Sequence, residues 1–118
     1  MSSGRISELD LIQRISRGIK NSPSVVRGIG DDTAVLKYAR DKYQLFTCDM
    51  LIEGTDFFPG TDPKDIGHKA IACSLSDIAA MGGRPKYALI SLGLPGTRAK
   101  KFIDGFYQGA LALAGKFK

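Results

Sequence analysis

Between Thr61-Asp62-Pro63 and Gly82-Gly83-Arg84-Pro85 the chain carries a start signal and a stop signal around a segment whose internal pattern is helical. Asp62 supplies an acidic N-cap, and Pro63 takes the first helical position, where its missing N–H leaves no bond unmade. The glycine pair and Pro85 end the element near Met81. Inside it, Ile71, Leu75, Ile78 and Ala79 recur at i, i+4, i+7 and i+8 and form one stripe directed at a core. Ser74 and Asp77, three residues apart, share a different face. The spacing therefore predicts a helix from Pro63 to about Met81.

The other elements follow from the same kind of reading. Ser7-Glu8-Leu9-Asp10 is a relative of the capping box, and Leu9, Ile12, Ile15 and Ile19 lie at helical spacing over Ser7 to Lys20. Asn21-Ser22-Pro23-Ser24 breaks that helix, and Val25 and Val26 lead into the loop Arg27-Gly28-Ile29-Gly30-Asp31-Asp32. Thr33 to Tyr38 reads as a strand, Ala39-Arg40-Asp41-Lys42 as a polar turn, and Tyr43 to Ile52 as the returning strand of a hairpin. Tyr87 to Leu94 reads as a further strand. Thr97 to about Ala114 reads as a last helix, with Phe102, Phe106 and Leu113 inward. The order α-β-β-α-β-α implies an α+β two-layer sandwich.

At 118 residues the chain fits one domain. That is small for an enzyme enclosing two phosphorylated ligands, so a second domain or subunit is expected. No apolar stretch approaches the roughly 20 residues of a bilayer span, and Met1 to Asp10 has no signal-peptide core, so the expectation is a cytoplasmic protein without a membrane partner. The net charge of +5 is spread along the chain rather than interleaved with aromatics, which argues against nucleic acid and agrees with an attraction for phosphorylated small molecules. Cys48 and Cys73 lack the close spacing of zinc or dithiol sites and are expected as buried free thiols.

The residues with chemistry are acids at turns and element ends. Asp31-Asp32 follow Gly30 and admit two readings, a turn closed by aspartate or a ligand site. Asp49 lies in the apolar run Leu45 to Ile52, and Asp77 lies in an apolar helix; either carboxylate, if buried, requires a partner. A single histidine, His68, and the absence of a nucleophile-elbow serine leave triad chemistry without support. Carboxylates spread over several elements suit magnesium, which combines a few of them with phosphate oxygens and water.

Three strings carry a family resemblance: Gly28-Ile29-Gly30-Asp31-Asp32-Thr33-Ala34-Val35-Leu36; Thr47-Cys48-Asp49-Met50-Leu51-Ile52-Glu53-Gly54-Thr55-Asp56-Phe57; and Gly67-His68-Lys69-Ala70 through Ser76-Asp77-Ile78-Ala79-Ala80-Met81-Gly82-Gly83-Arg84-Pro85. Over roughly Ser7 to Ala114 the chain resembles the N-terminal domain of thiamine-monophosphate kinases. These belong with aminoimidazole ribonucleotide synthetase, selenophosphate synthetase and a hydrogenase maturation factor to one ATP-binding group. The resemblance implies ATP and Mg2+ as cofactors and transfer of the γ-phosphoryl group to thiamine monophosphate. It also implies a homodimer in which the sheets of two N-terminal domains join into a barrel.

By motif position it implies Asp32, Thr47, Asp49 and Asp77 as metal ligands, Cys48 through its main-chain carbonyl, and Asp31 as a supporter of the same cluster. Gly28 and Gly30, with Asp31 and Asp32, would meet the nucleotide, and Asp56 the thiamine substrate. Two positions depart from the family pattern: Cys48 stands where threonine is common, and Asp56 where histidine is common. Lys69 and Lys86 are candidates for offsetting phosphate charge, and His68 is read as a surface or packing residue. The family's Gly-Gly-Asp loop and its C-terminal domain are expected beyond Lys118, so this portion alone is expected to be inactive. The competing readings are a related synthetase domain of the selenophosphate or purine type and a non-catalytic dimerisation module.

Overall fold

The computed structural model describes residues 4–97 and 99–117. Met1–Ser3, Arg98, which falls inside the expected last helix, and Lys118 lie outside the described residues. Helices and one small antiparallel sheet make the chain α+β, in two compact units of residues 1–47 and 48–118.

In the first unit, α1 (Glu8–Arg17) starts at Ser7, whose hydroxyl accepts from the Asp10 N–H at 3.1 Å and donates to the Asp10 carboxylate at 2.6 Å. The cap makes the N3 N–H half of a capping box, while the Asp10 carboxylate meets the Ser7 hydroxyl. The helix is shorter than Ser7 to Lys20, because Gly18 closes it on the carbonyls of Ile15 and Ser16. Its apolar stripe is not core: Leu9, Ile15 and Ile19 are all exposed.

The sheet has the order β1-β2-β3, with β1 Val25–Arg27, β2 Ala34–Ala39 and β3 Lys42–Phe46. The hairpin is as expected, Leu36 opposite Gln44 and Val35 opposite Leu45. Two corrections apply. Val25-Val26, read as a lead-in, begins a real strand that pairs with β2, Val25 facing Leu36 and Arg27 facing Val35 across an irregularity. The returning strand stops at Phe46 and not at Ile52, so Asp49 is on an irregular segment, exposed, rather than inside a strand.

In the second unit, α2 (Pro63–Ala80) matches its expected limits. Asp62 accepts from the Lys64 N–H at 3.0 Å. At the other end Gly82, at φ +74°, occupies the left-handed position that favours glycine, and Gly83 N–H reaches back to the Ile78 carbonyl at 3.0 Å. Residues 83–95 form no strand, with Tyr87 and Leu89 almost wholly exposed, at 97% and 102%. A strand exists only by pairing, and no described strand pairs with the segment expected at Tyr87 to Leu94. The last helix, α3 (Ala99–Ala114), ends in a 3-10 turn over Gly115–Phe117.

The core of this unit is the contact between α2 and α3. Ile66, Ile71, Phe106 and Ala110 are buried, with Leu75, Phe102 and Leu113 packed against them as expected; Ala79, at the end of the expected stripe, is exposed. Glycine makes the close approach possible. A Cβ on Gly67 would sit 1.9 Å from the Phe106 carbonyl oxygen, and one on Gly109 would sit 1.9 Å from the Lys64 carbonyl oxygen. Backbone meets backbone at both points, so neither clash is relieved by a rotamer change. Gly109→Ala is therefore expected to destabilise the unit by about 2–3 kcal/mol or more, read as a lowered denaturation midpoint, whereas Gly93→Ala, which meets nothing within 4 Å, leaves the midpoint unchanged.

Candidate functional site

The sequence-derived site residues fall into two groups, one in each unit. In the first unit they form the loop before β2. Arg27 contacts the Asp31 carboxylate at 3.3 Å, and the same carboxylate accepts from the Asp32 N–H at 2.8 Å. Gly30, at φ +120°, supplies the backbone reversal. The Thr47 hydroxyl, at the exit of β3, donates to the Asp32 carbonyl at 3.1 Å. Asp31 thus shapes the loop, and the tie from Thr47 leaves the Asp32 side chain, which is exposed, presented from a braced backbone. Gly28 is half-buried, and a Cβ there would meet the Asn21 side-chain amide at 2.9 Å.

In the second unit the central feature is a pair of carboxylates. Asp49 approaches α2 where Ser74 and Asp77 share a face, and its carboxyl hydrogen-bonds to both. Its pKa is raised, first by loss of hydration against the helix, then by the hydrogen bond and the charge of Asp77; the Ser74 hydroxyl, donating to the carboxylate, works the other way. Asp77 stands three residues before the end of α2, at the negative end of the helix dipole, and the last turn carries no basic residue. Asp49, Cys73, Ser76 and Asp77 line an open hollow of about 430 Å3. Ser74 was legible as a face-mate of Asp77, but its contact with Asp49 was not, because that contact depends on the path of the irregular segment after β3.

Asp56 is engaged locally. Its carboxylate accepts from the Ile52 N–H at 2.7 Å, and its own N–H bonds to the Ile52 carbonyl at 2.8 Å, closing the turn that contains Gly54. Lys69 donates to the Asp56 carbonyl, so this lysine has a structural partner. His68 is exposed, as is Lys86. Cys48 and Cys73 are free thiols, but Cys48 is exposed rather than buried, because the strand expected to enclose it ends at Phe46.

Among the described residues no group of three or more His, Cys, Asp or Glu side chains is placed to hold a metal ion. A pair of carboxylates is nonetheless a donor set suited to magnesium, which commonly takes one or two from the protein and completes its octahedron with water and phosphate. Two acids pressed together beside a helix C-terminus also form a site that a divalent cation would relieve.

The model of the AIR synthase related protein N-terminal domain matches residues 30–118. The chain belongs to that family. Curated thiamine-monophosphate kinases are similar over most of its length. The protein from Bacillus subtilis is 38% identical over 110 residues, 92% of this chain and 34% of the relative. That from Aquifex aeolicus is 39% identical over 104 residues, covering 88% and 32%. That from Buchnera aphidicola of Acyrthosiphon pisum is 34% identical over 108 residues, covering 88% and 33%. The chain thus spans about a third of the length of these relatives. No solved structure gives a significant match. No helix among the described residues is long and apolar enough to cross a membrane.

The raised pKa of Asp49 has a consequence for stability. The folded chain holds this proton more tightly than the unfolded chain, so the associated stabilisation is complete below the ordinary aspartate range and is lost as pH rises through the elevated folded value. Asp77→Asn removes the neighbouring charge but not the desolvation. Asp49, followed by carbon-13 NMR of its carboxyl, should then titrate lower, with a shallower loss of stability above the ordinary range. An unaltered titration would refute the pairing.

Proposed function

We propose that this chain is the nucleotide- and magnesium-binding portion of a thiamine-monophosphate kinase, an enzyme that transfers the γ-phosphoryl group of ATP to thiamine monophosphate and forms thiamine diphosphate. The observation that carries the proposal is the Asp49–Asp77 carboxylate pair braced by Ser74, found in a chain similar to kinases of that name. Magnesium bound there would supply neutralisation of charge between two anionic reactants, which, with positioning, accounts for most of the rate in phosphoryl transfer.

The chain's own residues would divide the remaining work. Asp49 and Asp77 would hold the cation in the second unit, while Asp32, Thr47 and the Cys48 carbonyl are the further ligands that the family resemblance implies. Asp31 keeps the loop in shape, and Gly28 and Gly30 let backbone approach the phosphates. Asp56 would be the residue that meets thiamine monophosphate, an anionic carboxylate suiting the cationic thiazolium. Its bond to Ile52 fixes its orientation.

Isothermal calorimetry with Mg·ATP tests the reading directly. Asp49→Asn and Asp77→Asn should each weaken binding by at least about 10- to 100-fold, the range over which even outer-sphere partners of a metal matter. Binding by both variants at wild-type strength would instead favour a module without catalytic function. Substrate identity is tested by turnover of thiamine monophosphate in the whole enzyme.

We also propose a homodimer through the N-terminal domain, with the apolar segment around Tyr87 and Leu89 as part of the interface, where the sheets of two copies join into a barrel. Its support is a sequence rich in strand formers whose side chains stand almost fully exposed in the single chain. Leu89→Lys should leave the unfolding of the isolated chain unchanged, since Leu89 is fully exposed there, while light scattering shows the dimer giving way to monomer. A dimer of undiminished strength would exclude this segment.

A further inference from the structure

Thr33 stands directly after the candidate loop and directly before β2. It is only 2% exposed, and its hydroxyl oxygen, fully buried, has no hydrogen-bond partner among the described residues. A stranded hydroxyl of this kind costs more than the valine of the same shape, which would fill the space without a polar group. Packing therefore gives no reason for threonine here. Polar groups of the preceding loop are bonded to one another: Asp31 to Arg27 and to the Asp32 N–H, and the Asp32 carbonyl to Thr47. The Thr33 hydroxyl, one residue on from Asp32, is buried and takes part in none of these bonds.

We propose that Thr33 is a positioning residue whose hydroxyl gains its hydrogen bond when the Gly28–Asp32 loop takes up Mg·ATP, the bound ligand bringing an oxygen acceptor to it. The inference rests on the nucleotide reading given above. Its thermodynamic content is that a bond unmade in the free chain and made in the complex contributes wholly to affinity, because only interactions that differ between two states shift the balance between them. Gly30, at φ +120° and with open space where a Cβ would stand, gives the loop the freedom such an adjustment needs.

Thr33→Val and Thr33→Ser separate this role from a purely structural one, with melting measured without ligand and Mg·ATP affinity measured by calorimetry. The valine variant should melt at or above the wild-type temperature yet bind Mg·ATP about tenfold more weakly, the scale of one neutral hydrogen bond. The serine variant, which keeps the hydroxyl, should bind within a few-fold of wild type. Equal affinity of valine variant and wild type overturns the proposal, as does a valine variant that melts several degrees lower without ligand, since the hydroxyl would then be satisfied in the free chain. A wild-type chain that does not bind Mg·ATP defeats the nucleotide reading and this inference together, an outcome distinct from a binding wild type matched by its valine variant.

Discussion

The second unit depends on two glycines that allow α2 and α3 to touch backbone to backbone. Gly67 lies against the Phe106 carbonyl and Gly109 against the Lys64 carbonyl, a reciprocal pair in which each helix offers its bare surface to the main chain of the other. Such a contact brings Ile66, Ile71, Phe106 and Ala110 together as a small, dense core. It also divides α2 along its length. The buried residues of the helix, Ile66, Gly67 and Ile71, all belong to its first half. The second half, anchored by the first, is left to present Ser74, Ser76 and Asp77.

That division places the acids where they are least comfortable. A carboxylate at the start of α2 is stabilised by free N–H groups, as Asp62 is, but Asp77 occupies the opposite end, where the carbonyl dipoles add negative potential. Asp49 then adds a second carboxylate, relieved in part by Ser74. Elsewhere the chain settles its acids locally: Asp10 against Ser7, Asp31 against Arg27 and a backbone N–H, Asp56 against the Ile52 N–H. The contrast separates acids that shape turns from acids opposed to one another. Only the second kind accumulates a potential that calls for a cation.

How much of this could be read from the sequence followed the range of the interactions involved. The limits of α2 were legible because capping and termination act within a few residues, and so was the hairpin, whose polar turn is local. The segment from Tyr87 to Leu94 misled because strand propensity describes a side-chain surface, whereas a strand requires a neighbour that no local pattern guarantees. The stripe of α1 misled in the same way: Leu9, Ile15 and Ile19 have helical spacing, and periodicity identifies a face without saying what covers it. β1 was missed for the opposite reason, being three residues long and flanked by turn-formers, too short for any alternation to register.

The same distinction governs the site. Asp49 and Asp77 drew notice because a carboxylate in an apolar context demands a partner, and each has turned out to be part of the other's environment. The motif resemblance weighted Asp31 and Asp56 similarly, but their bonds run to the backbone or to a near neighbour, and loop geometry sets such bonds without leaving a periodic trace. A motif retains both kinds of residue, since a loop that loses its shaping aspartate misplaces its ligating one just as surely. The Arg27–Asp31 contact and the Thr47 bond to Asp32 are thus best understood together: one holds the turn closed from within and the other fixes it from β3, and Asp32 has a defined position because both are made.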